Sequence, residues 1–303
     1  DHLSSNDEIG VLEMGMSEPG QITILGEIIH PNMGVVTNVG VSHIEMMGSR
    51  DNICREKLDI QNGLPEDGTL LLNGDNDMIR KHLSYVKKPY EFYGFAPDCT
   101  YRAENIWEEH GQTHFTFCYN GQREDVTLNV LGEHNVSNAL AAIAIGLKYQ
   151  VPMEAVKQQL STFSGQRQNI INTNGYTVID DSYNASPDSM KASLKILSDF
   201  HADGRRIAVL SDMLELGPDA PSYHKEVGRY IASTKVTDLY ITGELSQEYI
   251  TEAAAGNPSI RTRHFSSNSD LTGFLKDYLS EGDVVLAKAS NGMNLKEVAA
   301  ALI

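Results

Sequence analysis

Cysteine is scarce. The 303 residues carry only three, Cys54, Cys99 and Cys118, far apart and without metal-ligand spacing. That argues against a disulfide scaffold or a cysteine-zinc site, and reads as reduced core thiols of a cytoplasmic protein. Long apolar runs are missing as well. No stretch approaches the roughly 18 residues of a membrane span, and no signal peptide is recognisable. Positive charge is the third shortage: 24 Lys and Arg stand against 41 Asp and Glu, a net charge of -17. Nucleic acid and anionic membrane are poor partners for such a chain. A nucleotide is not excluded, because a few local donors suffice to hold phosphates. The chain also has no G-x-x-x-x-G-K-[ST] loop, no internal repeat and no low-complexity tract.

What is present is enough apolar material, 41% of residues, for about two domains. Residues 9–13 (IGVLE), 34–38 (GVVTN) and 69–73 (TLLLN) read as strands ending in polar turns. Helical spacing of Ile22, Leu25, Ile28 and Ile29, closed by Pro31, and a further helix over 50–62 separate them. That alternation predicts a mostly parallel sheet. Over residues 89–130 the pattern changes to alternating segments with turns such as Asn120-Gly121, which predicts an appended antiparallel meander. Helices are expected over 131–151 and 153–163, and Ser164-Gly165-Gln166 reads as a link. The domains are accordingly 1–166 and 167–303. In the second, strands near 176–180, 206–210, 238–242 and 283–288 alternate with helices near 187–200, 221–233, 246–255, 268–280 and 294–303, an α/β, Rossmann-like doubly wound pattern.

The most informative stretch is VIDDSYNASPDSM, residues 178–190. A β-branched run ends in Asp180 and Asp181, a polar turn follows, and a helix starts with Ser186 as N-cap and Pro187 at its first position. Met190, Leu194 and Leu197 supply its apolar face. Open α/β sheets bind ligands where a strand ends and a helix begins. By position alone the favoured reading is an Asp-rich loop that only caps a helix. Three polar residues nearer the start, Glu13 in VLEMGMS, His43 in TNVGVSHIE and Lys57 in REKLDI, are each ordinary when taken singly.

Taken together, these strings resemble the Mur ligase family. DDSYNASPDSM is similar to the family's DD-x-YNANP-x-SM element, with Ser186 in place of the usual asparagine. Within the family that element points to the ligase adding D-alanyl-D-alanine to UDP-N-acetylmuramoyl-tripeptide. The resemblance implies an ATP-dependent amide ligase of peptidoglycan precursor synthesis, working through an acyl phosphate. It implies Glu13 and His43 as magnesium ligands, and Lys57 as a carbamylated lysine that joins them. His134-Asn135-x-x-Asn138 matches the motif whose asparagines face the adenine, and amides both donate to and accept from a purine edge. Asn73 matches an asparagine near the nucleotide, Arg167 a phosphate- or ribose-side arginine, Asp181 is placed on the ribose, and Asn184 is a further nucleotide contact. Two departures stand out: Gly74 replaces an alanine, and Gln166 intervenes between Gly165 and Arg167.

Toward the end, LSDMLELG with His224, and LAKASNGMNLKEV, match further family blocks. The family's lysine-glycine-serine-arginine becomes Lys288-Ala289-Ser290-Asn291. Lys288 and Ser290 are thereby implied as contacts for the dipeptide or the acyl phosphate. In the family the phosphate loop precedes the VLEMGMS strand and follows a UDP-sugar domain. The expectation is therefore the later part of a central ATPase-like domain joined to the C-terminal domain, a monomer that does not ligate by itself. Two rivals stand: another Mur or folylpolyglutamate-type ligase, or a non-catalytic nucleotide-binding or interaction module.

Overall fold

The structure, a computed structural model, describes residues 7–163, 169–173 and 175–303. Among these residues it contains two sheets of six strands each, one per domain. The 166/167 boundary and Arg167 lie outside the described residues.

In the first domain α1 (Gln21–Ile29) leads to β1 (Met33–Val36), and α2 (Ile44–Met47) and α3 (Arg50–Leu58) lead to β2 (Thr69–Asn73). The Ser49 hydroxyl caps α3 by accepting from the Asn52 N–H at 3.2 Å. The helix expected over 50–62 ends at Leu58 and continues as one 3-10 stretch, Asp59–Gly63. After α4 (Asp77–Lys81) come β3 (Tyr90–Gly94), β4 (Tyr101–Glu109), β5 (Gln112–Tyr119) and β6 (Gln122–Leu128). The sheet runs β1-β2-β3-β4-β5-β6. Helices α5 (Glu133–Lys148) and α6 (Met153–Thr162) complete the domain, and α5 buries Val136, Leu140, Ile143 and Ala144 against Phe115, Phe117 and Leu128 of the strands.

Two expectations fail here. Residues 9–13 form no strand, and Ile9, Val11 and Leu12 are exposed. An apolar run becomes a strand only when a neighbour pairs its backbone, and among the described residues β1 pairs with β2 alone. The meander is also shorter than its pattern suggests. Only β4, β5 and β6 are antiparallel, while β3 lies parallel to both β2 and β4. The chain leaves β2 through α4, and a helical crossover returns it in the same direction.

The second domain alternates β7 (Asn169–Asn172), β8 (Thr177–Asp180), α7 (Pro187–Asp199), β9 (Arg206–Leu210), α8 (Ala220–Ala232), β10 (Asp238–Ile241), α9 (Gln247–Gly256), β11 (Arg261–His264), α10 (Asn268–Tyr278), β12 (Val284–Lys288) and α11 (Leu295–Ala301). The order β11-β10-β9-β12-β8-β7 is parallel except for β7. All five residues of β12 are buried, as expected for a central strand covered by helices on both faces. Strands β7 and β11 carry little strand signal in the sequence, since NIIN and RTRH are edge segments of four residues, half polar and wholly polar respectively.

One buried acid ties this sheet together. Asp238, with no solvent exposure, accepts from Arg261 Nε and Nη2 at 2.7 and 2.9 Å, Thr237 Oγ1 at 2.6 Å, Tyr278 OH at 2.7 Å and Tyr240 OH at 2.9 Å. Burial alone would raise its pKa, but these donors outweigh burial and hold it at about 2. A depressed carboxylate stabilises the fold above its unfolded pKa of about 3.9, and that contribution is lost as pH falls toward about 2. Urea unfolding of Asp238→Asn should lack roughly 2 kcal/mol of the acid-limb stability loss seen in the unsubstituted chain. An unchanged difference curve between pH about 4 and about 2 would refute this.

Candidate active site in the inter-domain cleft

The two domains meet through shared core. Val41 and Leu131 of the first domain are buried with Ile179, Met190, Leu210 and Met213 of the second. Beside this seam opens a cleft of about 750 Å³, within the usual size of a small-molecule site. One wall is the head of α5, with His134, Asn135 and Asn138; Leu160 and Phe163 border it from α6 and the residue after it. The other wall is the turn after β8 and the head of α7, carrying Asp181, Tyr183, Asn184, Asp188 and Ser193. Asn38 and Ser42 reach it from the loop after β1, and Lys288 from the end of β12.

Local chemistry fixes each wall. Helix α7 starts with the expected cap: Ser186 Oγ accepts from the Ser189 N–H at 3.4 Å, and the Ser186 N–H donates to Ser189 Oγ at 2.9 Å. This is a reciprocal capping box, with Pro187 at the first helical position. At α5, Gly132 has φ +106°, and a Cβ there would lie 2.5 Å from the His134 ring. Only glycine lets the chain turn into this helix so close to the imidazole. His134 is open to the cleft, yet the protein around its ring lowers its pKa by desolvation, partly offset by the charge of Asp181.

Asp181 and Lys288 come from the carboxyl ends of adjacent strands, and the Asp181 N–H donates to Ala287 O at 3.0 Å. Lys288 is 2% exposed. Its Nζ donates to Asp181 Oδ2 at 2.7 Å, to Asn184 O at 3.0 Å and to Asp181 O at 3.5 Å, which occupies all three ammonium protons. Burial lowers its pKa, and the Asp181 carboxylate opposes that shift. Ser193 Oγ lies 2.5 Å from Asp181 Oδ2 and 2.9 Å from Ser189 O. Both contacts fall on Oδ2, so among the described residues Asp181 Oδ1 is left to accept from a ligand in the cleft. Asn135 spends its amide N–H on Leu131 O at 2.7 Å and keeps its oxygen, while Asn138 has no partner among the described residues. Asn184 Oδ1 accepts from the Ala185 N–H at 2.8 Å.

The cleft thus gathers Asn135, Asn138, Asp181, Asn184 and Lys288 from the residues anticipated in the sequence. Asn73, His43, Lys57 and Glu13 do not line it. Asn73 donates to Thr37 O at 2.8 Å and accepts from the Asp75 N–H at 2.9 Å, so its amide holds a turn. Glu13 is exposed without a partner among the described residues. Lys57 is half-buried on α3 with no hydrogen bond or ion pair among them, and burial lowers its pKa, with Cys54 a smaller opposing influence. His43 Nδ1 lies 2.5 Å from Glu215 Oε2. No three His, Cys, Asp or Glu side chains cluster as metal ligands among the described residues.

Two further motif residues turn out to be scaffolding. The buried Ser290 Oγ accepts from the Leu214 N–H at 2.9 Å and is not offered to the cleft. His224 is buried, its Nε2 accepts from the Met213 N–H at 3.0 Å, and its Nδ1 faces Ala220 O at 2.7 Å; burial lowers its pKa. The ring is therefore a neutral brace for the loop 211–216. Asn38, Ser42, Asp188 and Ser193 also line the cleft, and as isolated polar residues in loops and on helices they carry no signal in the sequence.

Residues 1–146 match the Mur ligase middle domain, and residues 166–291 match the Mur ligase glutamate ligase domain. The chain belongs to the Mur ligase family. Among curated Mur ligases, it is 38% identical over 305 residues to the UDP-N-acetylmuramoyl-tripeptide--D-alanyl-D-alanine ligase of Bacillus subtilis, covering 99% of this chain and 65% of that protein. The enzyme of the same name from Mycobacterium tuberculosis H37Rv is 32% identical, with 97% and 62% covered. The chain thus spans just under two thirds of the length of these relatives. A crystal structure of MurF from Acinetobacter baumannii superposes with a TM-score of 0.88 at 25% identity, over 99% of this chain and 66% of that one. The fold of Thermotoga maritima MurF ligase, solved in complex with ADP, matches with a TM-score of 0.80 at 23% identity. No helix among the described residues is long and apolar enough to cross a membrane.

Proposed function

We propose that this chain forms the nucleotide-holding and domain-closing part of an ATP-dependent ligase that joins D-alanyl-D-alanine to UDP-N-acetylmuramoyl-tripeptide in the cytoplasm. The observation that carries this reading is the cleft itself. Amides from the head of α5 face an aspartate at the tip of β8 across two domains, with one carboxylate oxygen unclaimed among the described residues. The relatives' names supply the substrates.

In that reading ATP transfers its terminal phosphoryl group to the tripeptide carboxylate, giving an acyl phosphate and ADP. The amine of D-alanyl-D-alanine attacks the acyl carbon, and the tetrahedral intermediate expels phosphate and loses a proton. Asn135 Oδ1 and the Asn138 amide suit a purine edge, and Asp181 Oδ1 suits a ribose hydroxyl. Glu13, the second nitrogen of His43 and Lys57 are the residues that would hold magnesium, Lys57 once carbamylated into an oxygen donor. Bound magnesium would neutralise charge on the phosphoryl oxygens.

The test is phosphate release from ATP by the protein containing this chain, with the tripeptide precursor and the dipeptide added singly and together. Release is expected only with both, and release without either would overturn the assignment. In the same assay Asp181→Asn should raise the KM for ATP about tenfold, the worth of one hydrogen bond to a charged group, with kcat nearly unchanged. That is the signature of binding made equally in ground and transition states. A fall in kcat at constant KM would move Asp181 from the ribose to the chemistry.

A further inference from the structure

The loop carrying His43 belongs to the first domain but is seated on the second. Val41 is buried in the core of the second domain beside Leu210, Met213 and Leu216, and Ile44 packs against the same cluster. The Glu45 N–H donates to Glu215 O at 3.4 Å. Gly217, at φ +62°, runs so close to Glu45 that a Cβ would lie 3.3 Å from the Glu45 Cα. His43 and Glu215 both hold left-handed backbone, at φ 63° and 61°. Non-glycine residues adopt that conformation only where the surroundings impose it. At this junction His43 Nδ1 and Glu215 Oε2 stand 2.5 Å apart.

We infer that Glu215 is a positioning residue which crosses the domain seam to fix the His43 imidazole with its proton on Nδ1, presenting the Nε2 lone pair as a ligand. A carboxylate behind a histidine sets both the tautomer and the orientation of a metal-binding ring. The partner here comes from the opposite domain, so the first domain's histidine is ready only when the second domain is docked. The inference rests on the reading of His43 as a magnesium ligand, and it adds the residue that orients it.

The test uses the whole chain with 15N-labelled histidine in alkaline buffer, reading the His43 tautomer from long-range 1H–15N couplings. The unsubstituted chain is expected to show the Nδ1–H form. Glu215→Ala should shift His43 toward the Nε2–H form, which a free neutral imidazole prefers, whereas Glu215→Gln, which keeps an acceptor oxygen, should retain it. The Glu215 side chain is 60% exposed, so neither variant should disturb folding, and a melting curve checks that. Manganese binding, followed by paramagnetic resonance, should weaken 10- to 100-fold in Glu215→Ala. An unchanged tautomer, or unchanged manganese affinity in a chain that binds it, overturns the proposal. A Glu215-dependent tautomer in a chain that binds no manganese upholds Glu215 as the positioning residue and removes His43 from the metal site.

Discussion

Lys288→Met is expected to destabilise the chain by about 3–5 kcal/mol, the cost of leaving a buried charge without its partner. The lysine is 2% exposed, and its ammonium is consumed by Asp181 Oδ2, Asp181 O and Asn184 O. Removing it leaves the mostly buried Asp181 carboxylate with the Ser193 hydroxyl as its side-chain donor. It also frees the turn 181–184 from the end of β12. Nucleotide affinity should fall with stability, because that turn forms one wall of the cleft. Adding Asp181→Asn to Lys288→Met removes the stranded charge, so the double variant should recover most of the stability while nucleotide binding stays weak. Urea unfolding and calorimetric titration with ADP give the two readouts. If Lys288 instead touches the dipeptide or the acyl phosphate, the single variant will unfold like the unsubstituted chain and lose kcat alone.

This bears on what a lysine in a motif reveals. The string LAKAS marks position 288 as special and says nothing of where the ammonium points. Features decided within a few residues were legible. β2 spans the anticipated 69–73, and the Ser186-Pro187 helix start forms as its chemistry requires. Features decided by a distant partner were not. The IGVLE run has a strand's composition and no neighbour to pair with among the described residues, and β3 takes its direction from the crossover before it. RTRH pairs as an edge strand that composition hides. Among the site residues the same division holds. Asn135, Asn138, Asp181 and Asn184 sit in motifs at the heads of two helices, and those helix starts place them in one cleft. Ser193, which shares Asp181 Oδ2 with Lys288, lies four residues beyond Ser189 on α7, one polar position among several on that helix. Glu215 meets His43 across 172 positions of chain through an inter-domain dock that no local pattern encodes.

Under the proposed function, Lys57 should carry a carbamate in the assembled ligase, and Lys57→Ala should lower its activity at least about a hundredfold, the scale of removing one preorganised electrostatic contact. The side chain is half-buried with no ion pair among the described residues, and burial lowers its pKa, so more of the amine is neutral at a given pH than for a surface lysine. A neutral amine attacks carbon dioxide, the new N–C bond forms, and one proton is released, leaving a carbamate anion. The change replaces a positive charge with a negative one and supplies oxygen atoms to a hard cation. An unmodified ammonium would repel magnesium; the carbamate would bind it. Lys57→Arg should fail like Lys57→Ala, since a guanidinium stays protonated and is not carbamylated. Depleting dissolved carbon dioxide should lower the activity of the unsubstituted enzyme, and added bicarbonate should restore it. With 13C-bicarbonate a carbamate carbon should appear in the NMR spectrum and be missing from Lys57→Ala. Because the reactive form is the neutral amine, its occupancy should rise with pH at constant dissolved carbon dioxide. Activity of Lys57→Ala within a few-fold of the unsubstituted enzyme, or full activity without the labelled carbon, would leave Lys57 an ordinary half-buried lysine of α3.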